Sequence, residues 1–97
     1  MKEQEKTIRD IELKSGEIYV LTHIICKGDR PDEIWTREFI GFNYSIKEAE
    51  AIAHERLASR ACKVTEPYLA PCREIVFSEP TIGGMIESVE ISKVSRV

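Results

Sequence analysis

The feature that most constrains this chain is a change of period at Ser45. Ser45-Ile46-Lys47-Glu48 fits the capping box, in which the serine hydroxyl accepts from the amide three residues on and the glutamate reaches back to the serine amide. From there Ile46, Ala49, Ile52, Ala53, Leu57 and Ala61 recur at i, i+3, i+4 and i+7 spacing, a single apolar stripe. Glu48 and Glu50 stand early and Arg60 and Lys63 late, the order that the helix dipole favours. The stripe is rich in alanine, so the helix can lie close against a neighbouring layer. The other segments alternate or are β-branched. The chain therefore owns one long helix, and one helix covers one face of a sheet.

The strongest strand is Glu17–Lys27, mostly β-branched or aromatic. Alternation puts Ile18, Val20, Thr22, Ile24 and Cys26 on one side and Tyr19, Leu21, His23 and Ile25 on the other. Both sides are largely apolar, which marks a central strand. Ile34–Tyr44 resumes strand character after a loop around Gly28 and Pro31, and Gly41 inside it suggests a bulge or a close backbone approach. Cys72–Glu79 and Met85–Val97 read as strands joined by a turn over Pro80–Gly84. Thr7–Leu13, with Ile8, Ile11 and Leu13 among charges, reads as a marginal edge strand, with a helical start competing, and Ser15-Gly16 reverses the chain. Glu66–Pro71 reads as a connection, because two prolines four apart stop the helix. Residues 1–6 read as a frayed end. The expected fold is α+β: one domain over residues 1–97, an antiparallel sheet of about five strands with one long helix packed on one face, in the order β-β-β-α-β-β.

At 97 residues such a domain buries only about 60–65% of the surface its unfolded chain exposes. Its 42% apolar content and net charge of −3 exclude a disordered chain. No uncharged run is long enough for a membrane span, and no basic segment followed by an apolar one opens the chain, so an unsecreted, cytoplasmic protein is expected. Three cysteines, Cys26, Cys62 and Cys72, are not spaced as a disulfide framework and read as buried thiols.

Chemistry is sparse. Neither the cysteines nor His23 and His54 form the short pairs that preorganise zinc, no phosphate-cradling loop is present, and no catalytic constellation is visible. No cofactor is called for, and the chain is not expected to be an enzyme; the enzyme reading left open is a thiol-dependent activity at Cys26 or Cys72. His54 stands four residues from Glu50, the spacing of a solvated helix-surface pair.

Trp35–Ala58, and above all Gly41-Phe42-Asn43-Tyr44-Ser45-Ile46-Lys47-Glu48-Ala49-Glu50 with Ala53 and Leu57, resembles the last strand and second helix of double-stranded-RNA-binding domains. The resemblance implies phosphate contacts from the helix start and readout of duplex shape. The chain departs from that family in carrying only Lys47 at the helix start, followed by two carboxylates. Four cations against three anions over 45–64 make the helix the only positive segment, and Arg56, Arg60, Lys63 and Arg73 are the candidate anion or nucleic-acid patch.

The leading expectation comes from apolar excess. Tyr19, Leu21, His23, Ile25, Trp35 and Phe39 are placed on the sheet face opposite Val20 and Ile24, left uncovered by the helix, and form the candidate protein interface. His23 there would make association sensitive to pH. The chain is expected to be a small protein-binding module, homodimeric through sheet faces or edges, acting by recognition, regulation or inhibition of another macromolecule. The alternatives are a weak nucleic-acid binder and an accessory or mobile-element inhibitor of a nucleic-acid machine.

Overall fold

The structure, a computed structural model, describes residues 6–27, 30–60, 63–78 and 84–95, and leaves aside the side chains of 27, 30–33 and 35. The expected frayed end (all but its last residue), Gly28, Cys62, the helix-stripe residue Ala61 and most of the turn over Pro80–Gly84 lie outside the described residues.

Five strands, β1 (Glu17–Lys27), β2 (Arg30–Asn43), β3 (Tyr68–Ala70), β4 (Arg73–Phe77) and β5 (Met85–Ser95), form one antiparallel sheet in the order β2-β1-β5-β4-β3. The helix α1 (Ile46–Ala58) packs on one face of it. The α+β class with five strands and one helix is the expected one, and β1 is central as its two apolar sides required. The element order is β-β-α-β-β-β, which differs from the expectation at two places.

Thr7–Leu13 is not a strand. The Asp10 carboxylate accepts from the Thr7 amide at 3.2 Å and from its hydroxyl at 2.9 Å, closing a turn that a strand would have to open. Ile8 at that turn is fully buried, and its amide donates to the Ala70 carbonyl at 3.0 Å, so it plugs the core rather than lining an edge. The missing strand is β3, between Pro67 and Pro71. Prolines are tolerated there because β3 is an edge and pairs only with β4.

Ser45 caps α1, its hydroxyl accepting from the Glu48 amide at 3.4 Å. Ala49, Ala53 and Leu57 are fully buried, while Ile52 stays exposed, so the apolar stripe is narrower than its spacing implied. The helix closes a core with Ile8, Tyr19, Leu21, Val76, Val89 and Ile91. Register places these strand residues together: Leu21 pairs Ile91, and Val89 pairs Val76. The core face is therefore the odd-numbered face of β1. Here the sequence expectation is inverted: Tyr19, Leu21 and His23 lie under the helix, and Val20 and Ile24 face away.

The pairing of β1 with β2 shifts register at three places, and the first two, single-residue bulges in β2, set which of its described side chains share a face. Gly41 pairs Leu21 but Phe39 pairs Thr22, which leaves Ile40 as an extra residue packing toward the core. Gly41 takes a φ of 158°, which side-chain-bearing residues rarely adopt. The extra residue shifts the alternation by one, so Phe42 and Phe39, three apart, point to the same side. Trp35 is the extra residue of the second bulge, and its side chain lies outside the described ones.

A candidate protein-interaction face

The face of the sheet away from α1 carries Ile18, Val20, Thr22 and Ile24 of β1. Register adds Phe42, Phe39, the exposed Arg37 and Ile34 of β2, Ser88, Glu90, Ser92 and Val94 of β5, and Arg73, Ile75 and Phe77 of β4. No described element lies over it. Phe39, Phe42 and Tyr44 are 62%, 59% and 62% exposed, and Phe42 and Tyr44 meet edge to face with centroids 6.4 Å apart. With Ile18 and Val20 as a floor, these three rings enclose an apolar groove of about 320 Å³. Of the eight exposed large apolar side chains among the described residues, six, Ile34, Phe39, Phe42, Tyr44, Tyr68 and Val94, belong to this face.

Its serines and its carboxylate are bonded within the chain. Ser92 Oγ donates to Glu90 Oε1 at 2.9 Å, Arg73 lies 3.6 Å from the other Glu90 oxygen, and Ser88 Oγ reaches the Ile24 carbonyl at 3.5 Å. A surface whose hydroxyls and carboxylate are already satisfied loses little when water is removed from it.

Of the expected interface residues whose side chains are described, Phe39 alone stands on this face as an exposed residue. Tyr19 is buried, its hydroxyl donating to the Ile11 carbonyl at 3.3 Å, and burial pushes its titration up. Leu21 is fully buried and Ile25 half-buried on the helix side. His23, only 3% exposed, sits in a polar cluster rather than at an interface. Its Nε2 meets Glu87 Oε1 at 3.0 Å, and its Nδ1 accepts from Arg56 Nε at 3.0 Å. An acceptor at Nδ1 puts the ring proton on Nε2, so the neutral imidazole donates to Glu87. Burial lowers the His23 titration, the Glu87 hydrogen bond opposes it, and Arg56 reinforces it.

The candidate cationic patch is not assembled. Arg56 also bonds Glu38 at 3.0 Å, Arg60 bonds Glu87, and Arg73 belongs to the opposite face with Glu90. Lys63 is exposed beyond the helix. The reason is physical: the helix lies on a sheet face that carries carboxylates, so its arginines fold down to neutralise them instead of standing free.

A second cluster, which the sequence did not announce, joins Arg9 to Glu50 at 2.6 Å and to Glu74. Glu74 is fully buried on β4, and its Oε2 has no hydrogen-bond partner. Burial raises its titration, Arg9 opposes the rise, and the neighbouring Glu50 adds to it. A proton on Glu74 removes the charge that burial penalises. Glu50 is thus engaged with Arg9, while His54 is exposed. Of the thiols, Cys26 is buried on β1 and raised by burial, and Cys72 is exposed in the β3–β4 turn. Among the described residues no group of three or more His, Cys, Asp or Glu side chains is placed to hold a metal ion, and no helix is long and apolar enough to cross a membrane.

Comparison with protein-family models, with curated proteins and with solved structures finds no match to the chain. The double-stranded-RNA-binding resemblance stays confined to the strand-turn-helix unit of β2 and α1: Thr7–Lys14, ahead of β1, holds turns, and three strands follow α1.

Proposed function

We propose that this protein is a protein-binding module that works through the open face of its sheet, by recognition, regulation or inhibition rather than by catalysis. The observation that carries this reading is the gathering of six exposed large apolar side chains on one face. Monomeric soluble proteins seldom leave contiguous apolar patches beyond a few hundred Å² without a use for them. The internally bonded Glu90, Ser88 and Ser92 support an apolar partner surface. Nucleic acid fits poorly, because Arg56, Arg60 and Arg73 are committed to Glu38, Glu87 and Glu90. The free thiols Cys26 and Cys72 support a reducing, cytoplasmic setting.

A photo-crosslinking residue placed at Phe39, and in a separate protein at Glu55 on the exposed side of the helix, tests this in expressing cells. Protein adducts from position 39 and none from position 55 are expected. Equal labelling at the two positions would overturn the reading.

A further inference from the structure

Resting on that reading, we infer that the occupant of the open face is a second copy of this chain, the two sheets packing face to face about a twofold axis.

The size of the face matches such an interface. The sheet sets three long strands of 11, 14 and 11 residues, at about 3.3 Å per residue, beside two short ones, with about 4.8 Å between neighbours. That gives a face on the order of 10³ Å², against the roughly 800 Å² per partner that a standard stable interface needs. No long apolar stretch of residues 1–97 lies outside the described ones. The longest stretches outside the described residues are five residues each. Met1–Glu5 carries three charges, and Glu79–Gly83 contributes one large apolar side chain, Ile82.

The chemistry of the face suits itself. Isologous pairing asks a surface to carry both the projection and the recess that receives it. The β2 flank projects Phe39, Phe42 and Tyr44 beside the groove floored by Ile18 and Val20. The β4–β3 flank offers Ile75, Phe77 and Tyr68. A twofold axis running along the strands lays the first flank of each copy over the second flank of the other, with the mean strand directions about 30° apart as in aligned sheet packing. The centre, Thr22 with Ser88, Glu90 and Ser92, then faces its own copy. Like charges meeting there would oppose the contact, but Glu90 is compensated within each protomer by Arg73 and Ser92.

Sedimentation velocity across the low to high micromolar range reads this directly, on the wild-type chain, Phe42→Asp, and Glu55→Arg on the helix, with circular dichroism confirming each fold. A reversible monomer–dimer equilibrium is expected for the wild type. Phe42→Asp should raise the dissociation constant about 30-fold or more, the size of an interface hot spot, and Glu55→Arg should leave it unchanged. Should Phe42→Asp fail to fold, Val94→Asp on β5 makes the same test from the far end of the face. A wild type that stays monomeric at high micromolar concentration, or an open-face aspartate that leaves association intact, overturns the dimer. If the wild type is monomeric while position 39 still crosslinks to another protein, the dimer alone falls; if position 39 crosslinks to nothing, the docking-face reading falls with it.

Discussion

The two faces of this sheet invert a simple rule. The face under the helix carries His23, Glu74 and Glu87, and it is the buried one. The open face carries Ile18, Val20, Ile24 and the aromatic flank of β2, and no described element covers it. What distinguishes the inner face is not apolar content alone but the cations brought to its carboxylates, Arg56 and Arg60 from the end of the helix and Arg9 from the turn before β1. Arg56 and Arg60 descend onto His23 and Glu87, and Glu50 joins Arg9 beside Glu74. Between these two clusters Leu21, Val76, Val89 and Ile91 meet Ala49, Ala53 and Leu57. The described residues of the open face form no such ionic frame, and only Ser88, Glu90, Ser92 and Arg73 are tied together or to the backbone there.

The largest expected difference between the faces is in stability. Leu21→Ala should cost roughly 2–5 kcal/mol in denaturant unfolding, because a fully buried side chain leaves a cavity under a packed helix. Val20→Ala, one residue away on the open face, should cost about 1 kcal/mol or less at low micromolar concentration. Equal losses at the two positions would mean that the open face is covered even in the monomer.

That contrast also shows how far the sequence was legible. Helix α1 was readable from its cap and stripe, and β1 from its β-branched run, because local chemistry decides both. The inner face was not readable from β1, since both of its sides are apolar. The decisive signal sits in β5, where Val89 and Ile91 alternate with Ser88, Glu90 and Ser92. It becomes usable only with the register that pairs Leu21 to Ile91. Phe39 is expected on the face of Tyr19, and the bulge at Ile40 puts it on the other side. Gly41 announced the bulge but not its direction. The β3 strand was hidden by its flanking prolines, and the buried roles of Glu74 and Glu87 needed the helix to bring their partners.

The ionic frame makes the next predictions, with opposite pH signatures at its two ends. Burial holds the His23 titration below its ordinary value of 6.5. The unfolded chain therefore binds a proton before the folded chain does, and stability present above about pH 6.5 is lost as pH falls through the folded value. Arg56→Gln, which weakens the contact at Nδ1, should cost about 1–3 kcal/mol at pH 7.5 and flatten that acid loss. Chemical denaturation from pH 8 to pH 5 checks both.

Glu74 is raised above its ordinary 4.5, so the folded chain keeps a proton that the unfolded chain releases. Its contribution is full below about pH 4.5 and is lost as pH rises through the folded value. Glu74→Gln supplies a permanently neutral group of the same shape. It should cost about 1 kcal/mol or less at acid pH and be neutral or stabilising at pH 8, removing an alkaline decline that the wild type shows. A Glu74→Gln chain that loses as much at pH 8 as at pH 5 would mean that Glu74 is held ionised by Arg9.

The smallest effect belongs to the open face and is the most informative about it. Arg73 and Glu90 lie 3.6 Å apart with the arginine half exposed, so in a monomer Arg73→Gln should change stability by only about 0.5 kcal/mol. If the face is covered by a second copy, the same change strips Glu90 of its cation inside the contact, where an unpaired carboxylate is far more costly than in water. The two measurements then part: unfolding of the dilute chain barely moves, while self-association weakens well beyond the change in stability. An Arg73→Gln chain that associates as the wild type does would place Glu90 at a wet rim rather than at the centre of the contact, and would shift the twofold axis away from β5.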